Sequence, residues 1–328
     1  MRKRLSTLAT LLGCALLVLA PASAATRSPT LTFRVFARTR GHKIDSIVWT
    51  GRRFLYVENT TNRVWSSPPA GTPLELFATM PNLVEESRCI ESAGAHGFPA
   101  GVIFCHSPDD KIYEISEDGS NVSVFATLPA PAGTVSDGAL DFDRVGKFGF
   151  QLVAATGRSG ASMPAGGVVY TISPAGHVTQ VGTYAGPGGA DELMVAPASF
   201  GTVGGDALLT VDAGAGGGSL VAVDPGGGTR TIFQTEDGLN PIASIVPETG
   251  QAKRSPAAGL YLTNDIASYV YFAPAQQLSG YADDIIVGSE DNAQMWILVP
   301  SGSTFTALQV THNLRGPKHS LEQAIFVP

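Results

Sequence analysis

Residues 45–65 read DSIVWTGRRFLYVENTTNRVW, and the remainder of the chain repeats this pattern. An acidic residue opens a short apolar run, Ser46 to Trp49. A turn through Gly51 leads to a second run, Phe54 to Val57, and a further turn leads to Arg63-Val64-Trp65. Runs of four to six residues rich in Val, Ile and aromatics, separated by turn residues, are strands rather than helices. The same unit returns as Glu86 to Ile90, Gly101 to Phe104, Lys111 to Tyr113 and Ser123 to Phe125. It returns again from Asp137, with Gln151 to Ala154, Val168 to Tyr170 and Val178 to Val181. From Glu192 it continues through Ala207 to Thr210, Leu220 to Val223 and Thr231 to Phe233. Asn240 to Ala243 is read as leading to Leu260 to Leu262 and Tyr269 to Tyr271. A less regular unit contains Ile285 to Val287, Trp296 to Leu298 and Leu308 to Val310.

Unit starts fall roughly 40 to 50 residues apart, the period of four-stranded propeller blades. The expected fold is therefore all-β: a β-propeller, six-bladed in the best parse, with five or seven blades as alternatives. A β-sandwich or β-helix is the competing architecture. Leu31 to Phe36 resembles an outermost strand and Leu321 to Val327 an innermost one. Pairing of the N- and C-terminal strands within one sheet would close the ring and cover its open edges.

The start of the chain belongs to a different class of segment. Arg2-Lys3-Arg4, the apolar run Leu8 to Ala20 and the small residues Ala22-Ser23-Ala24 have the order of a secretory signal peptide. The expectation is a signal peptide over residues 1–24 and a single propeller domain over 25–328, secreted or periplasmic, with no membrane span after signal removal. All 28 acidic residues follow Ala24 and three of the 21 basic ones precede it, leaving 18 basic residues and a formal net charge of −10. That sign argues against nucleic acid as a partner, which calls for a basic face. Cys89 and Cys105 remain after the leader. In an oxidising compartment an isolated pair reads most simply as one disulfide, two buried thiols being the other reading.

The first strand of each blade lies nearest the central axis, so a polar residue at its start faces the channel. The repeat puts Asp45, Glu86, Asp137, Glu192, Asn240 and Glu322 there. Carboxylates gathered at one opening repel one another unless a cation or hydrogen bonds compensate. A hard cation such as calcium takes six to eight oxygen ligands. Asp45, Asp137, Glu192, Asn240 and Glu322 are thus the candidate ligands of Ca²⁺ or another divalent cation, and strand-capping by the same residues is the alternative. His319, three residues before Glu322, is a further candidate at that mouth.

The opening unit from Asp45 to Trp65, and the Asp-Gly…Asp…Gly pattern of Asp137-Gly138, Asp141, Asp143 and Gly146, resemble the SMP-30/gluconolactonase-like group of six-bladed propellers and the related NHL propellers. That resemblance implies a divalent metal, usually calcium, held by Glu, Asn and Asp at the channel. Asp137 matches the Asp, Asp45 stands in place of the Glu, and Asn240 follows the Asp in sequence rather than preceding it. It also implies that the metal polarises a lactone carbonyl and activates water, with Asp137 as catalytic base. Two functions follow as expectations. One is an exported binding or scaffold propeller taking a small molecule or protein at the channel mouth; the other is a metal-dependent hydrolase or lyase acting on a lactone-like substrate.

Overall fold

The computed structural model describes residues 28–84, 87–129, 138–157, 166–186, 188–212, 217–246, 257–290, 292–314 and 321–328. The expected leader, residues 1–24, lies outside them. The second run of each unit is where the sequence is most evenly apolar, and it forms strands buried along their length. Phe54–Glu58, Ile103–Ser107, Leu152–Thr156, Gly259–Asn264 and Ile285–Ser289 have no exposed residue. Such strands have both faces covered, so they need no alternation of polar and apolar residues. The outermost strands, such as Thr229–Thr235, are largely exposed or half-buried and correspondingly polar.

Among the described residues there are six four-stranded sheets. Their innermost strands are Ile44–Trp49, Arg88–Glu91, Ala139–Phe142, Ala190–Val195, Leu239–Ser244 and Leu321–Val327, which define blades I to VI in that order. These strands contact one another in sequence around a closed ring, with blade VI returning to blade I. The apolar core is divided accordingly into six clusters, one at each interface between neighbouring blades. Val48, Leu55 and Val57 of blade I meet Cys89, Ile103 and Cys105 of blade II, for example. Stability is thus distributed around the ring.

Closure brings both chain ends into one sheet, as the sequence reading expects, although the two terminal strands do not pair directly with each other. Arg34–Arg38 is the outermost strand of blade VI and Leu321–Val327 its innermost, so the two chain ends occupy opposite edges of one sheet. Thr30–Leu31 adds a short parallel pairing with Thr311–His312.

The parse of the last two blades requires correction. The Asn240 strand does not pair with Leu260 to Leu262; it pairs with Ile285–Ser289, followed by Met295–Ser301 and Thr304–Gln309, to make blade V. Gly259–Asn264 and Tyr269–Pro274 instead form the middle of blade VI. The chain therefore leaves blade V after one strand, builds two strands of blade VI and returns through a 3-10 segment, Ala275–Tyr281, to finish blade V. Both second-strand runs are equally apolar, so periodicity does not reveal which one the Asn240 strand chooses.

Cys89 and Cys105 lie directly opposite each other on adjacent strands of blade II and form a disulfide, with Cα atoms 4.1 Å apart.

Candidate functional site

Innermost strands have one hydrogen-bonding edge that faces the axis instead of another strand. In several blades the start of this strand carries a bulge. Asp45 is the extra residue between Ile44 and Ser46, and Asp191 the extra residue between Ala190 and Glu192. Register also shifts between Leu239 and Ile242, and opposite Thr263 in the Leu321–Val327 strand. A bulge re-aims the side chains beside it, and here it turns polar groups from four blades towards the hub.

The cation at the centre of these groups is the guanidinium of Arg88, the first residue of the blade II inner strand. Its side chain is 3% exposed. Nη1 donates to Asp45 Oδ1 at 2.5 Å, and Nη2 donates to Asn240 Oδ1 at 3.0 Å and to the Glu322 carbonyl at 3.2 Å. Glu192 Oε1 lies 3.4 Å from Nε, and Glu322 Oε2 lies 4.0 Å from Nη2. Asn240 Nδ2 donates to Glu322 Oε2 at 2.9 Å. Four of the expected metal ligands, Asp45, Glu192, Asn240 and Glu322, are thus brought together. Asp137, Glu86 and His319 lie outside the described residues.

This donor set fits a planar guanidinium, whose fork of N–H groups can serve several acceptors at once. Among the described residues no group of three or more His, Cys, Asp or Glu side chains has a metal-holding arrangement. Burial raises the Glu192 carboxyl to about 8, although Arg88 pulls it down. Burial and the neighbouring Asp45 raise Glu322 well above the carboxylate range. Burial alone would lower Arg88, but Asp45, Glu192 and Glu322 outweigh it and hold the guanidinium firmly charged. In the hub, then, burial favours the protonated form of Glu192 and Glu322, and the Arg88 guanidinium opposes that shift.

Polar side chains on successive blades also latch the ring. Asp141 Oδ2 accepts the Val195 N–H at 2.9 Å, Glu192 Oε2 the Ile242 N–H at 2.8 Å and Gln323 Oε1 the Ile47 N–H at 2.5 Å. In each case an inner strand caps an N–H of the next. Thr210 Oγ1 accepts from the Glu192 N–H at 3.0 Å and donates to the Asn240 carbonyl at 2.9 Å. Thr263 repeats this geometry with the Gln323 N–H and the Asp45 carbonyl, each at 2.9 Å. His106 Nδ1 donates to the Ala139 carbonyl at 3.3 Å, and burial lowers its pKa to about 4, so the ring is neutral. Sequence reading missed Arg88, Gln323, Thr210 and Thr263. Arg88 follows Glu86 by two residues in sequence, and one cation among acidic repeat positions was the available signal.

Beyond the hub the inner strands diverge around a cavity of about 600 Å³. Every blade contributes to its wall, with Trp49, Ile90, Leu140, Met194, Ile242 and Phe326 among the lining residues. Glu192 and Gln323 face its hub end, while Glu91, Arg144 and Asp283 lie where the inner strands end. Burial pushes the half-buried Glu91 carboxyl up to about 7; Arg52 opposes this shift and Glu117 adds to it.

Comparison with solved structures finds the propeller. A chain in the crystal structure of a nidogen/laminin complex is similar over 89% of this chain and 88% of that one, with a TM-score of 0.56 and 9% identity. A chain in a structure of YCF48 bound to D1 peptide is 11% identical, with a TM-score of 0.42 over 81% of this chain and 66% of that one. No protein-family model matches, and no curated protein matches. The likeness to the nidogen/laminin structure, at this identity, is one of fold. Among the described residues no helix is long and apolar enough to cross a membrane.

Proposed function

We propose that the protein is an exported, non-catalytic binding propeller that takes a small-molecule ligand into the funnel where its inner strands end. One observation carries this reading: a cavity of about 600 Å³, walled by all six blades and backed at one end by the Arg88 network. Its volume lies in the range of ligand pockets, as does its mostly apolar wall with a few polar groups. The leader-like start and the disulfide support export. The motifs from Asp45 and Asp137 support kinship with the SMP-30/gluconolactonase-like propellers in architecture. The lactonase reading needs a divalent metal beside Asp137; the charge balance at Arg88 favours a hub stabilised by its own guanidinium.

The test uses N-phenyl-1-naphthylamine, a neutral apolar dye that brightens when shielded from water. The full mature protein should bind one dye, and Ser244→Trp, which adds bulk at a half-buried lining position, should weaken binding at least about tenfold, or about 1.4 kcal/mol. Dye binding that ignores Ser244→Trp would overturn the proposal. So would turnover of simple lactones that calcium supports and chelation abolishes.

A further inference from the structure

The ionisable groups along the funnel are not equivalent. Five ionisable side chains face it: Glu91, Asp141, Arg144, Glu192 and Asp283. Asp141 is committed, because Oδ1 accepts from the Phe142 N–H and from Arg144 Nη1, each at 2.8 Å, and Oδ2 accepts from the Val195 N–H. Arg144 is therefore matched by its own partner. Glu192 is committed to the Ile242 N–H and to Arg88.

Glu91 and Asp283 remain. Among the described residues neither side chain makes a hydrogen bond or ion pair with the protein; Arg52, the cation nearest in influence to Glu91, is bridged to Glu117. Glu91 ends the inner strand of blade II, and Asp283 precedes the second strand of blade V. Blades II and V lie three places apart in a ring of six, so the two carboxyls approach the funnel from opposite sides. Between them the wall is mainly apolar, and Trp49, the last residue of the blade I inner strand, is among its lining residues. Carboxylates and an indole both attract a cation, whereas an anion would meet uncompensated negative charge.

We propose that the funnel selects an organic cation: a protonated amine carried on an apolar body, with the amine at the Glu91 and Asp283 rim and the apolar part against Leu140, Met194 and Ile242. This inference rests on the funnel being a ligand site and names the class of ligand it takes. A bare metal ion would leave the apolar wall unused, and a neutral hydrocarbon would leave the rim carboxylates unpaired.

Three ligands of one shape separate the possibilities when each displaces N-phenyl-1-naphthylamine at about pH 8: 2-(2-naphthyl)ethylamine, 2-(2-naphthyl)ethanol and 3-(2-naphthyl)propanoate. The amine should bind at least about tenfold more tightly than the alcohol, equivalent to about 1.4 kcal/mol, and the carboxylate should bind weakest. Glu91→Gln and Asp283→Asn should each cut the amine-to-alcohol ratio, and the double variant should bring it near one. Because the alcohol requires the same folded funnel, the ratio is insensitive to loss of folded protein. An amine that shows no advantage, or an advantage that survives in the double variant, would overturn the inference while the funnel itself still held the dye. Failure of the dye to bind would remove the ligand site as a whole.

Discussion

The central channel has two ends made from the same six strands, and they treat polar residues in opposite ways. At the hub end the central charge is answered from within: Arg88 is shared among Asp45, Asn240, Glu192 and Glu322, contributed by four other blades. At the other end, three residues along the Arg88 strand, Glu91 stands at the rim with no ion-pair partner among the described residues. Side chains converge where the strands crowd the axis and become part of the structure. They diverge where the channel widens, and at Glu91 and Asp283 no ion pair answers the charge among the described residues. The sharpest way to break this contrast is to remove one charge from each end. Arg88→Met strands three carboxyl groups in a dry site and should cost about 3–5 kcal/mol in denaturant unfolding, the usual result of taking one partner from a buried ionic network. Glu91→Gln should stay within about 0.5 kcal/mol of wild type at neutral pH. Equal effects would mean that the hub is not the committed end.

A smaller effect tests whether the hub end is held by hydrogen bonds as well as by charge. Thr210 and Thr263 each bind one N–H and one carbonyl from neighbouring inner strands. Thr→Val is close to the same shape but leaves those buried groups unpaired, at about 1–3 kcal/mol for each site. Thr→Ser keeps the hydroxyl and should lose less. Ser244→Ala, at the wide end and outside any such latch, should barely move the denaturation midpoint. A Thr210→Val protein as stable as wild type would show that the ring holds through apolar packing alone.

The two ends also differ in how legible they were. Period and strand character gave the blades, since a run such as Phe54 to Val57 has few ways to be buried except between two neighbouring sheets. The polar residue at each strand start gave most of the hub, because a repeat places equivalent positions at equivalent radii. Two things escaped. Pairing in the last two blades depends on a choice between Leu260–Leu262 and Ile285–Val287 that local sequence does not encode. Charge balance escaped because Arg88 follows two acidic residues, Glu85 and Glu86, so the repeat position is acidic and the cation beside it has no counterpart in the other units. The funnel was invisible for another reason: its wall is made of ordinary strand residues, and a void is a property of six strands together.

The subtlest test concerns protons at the wide end. Burial raises the Glu91 carboxyl from 4.5 to about 7. The folded chain therefore keeps a proton that the unfolded chain has already released. Below about pH 4.5 both forms hold it, and Glu91 costs nothing; as pH climbs towards 7 the folded state loses stability, and above that the loss is constant. Glu91→Gln has no such proton. Its melting temperature relative to wild type should thus rise across this interval and level off above it, by about 1–2 °C for a chain of this size after allowing for partial exposure. Glu192 and Glu322 share the sign of this effect and His106 has the opposite one, but all three remain in both proteins and cancel in the difference. Saturating 2-(2-naphthyl)ethylamine should move the pH at which the wild-type loss levels off downward and reduce the size of that loss, because a cation at the rim favours the ionised carboxylate and lowers the folded-state pKa. A difference that instead grows as pH falls would mean that Glu91 is held ionised by a partner of its own, and the rim would then belong to the structure as fully as the hub does.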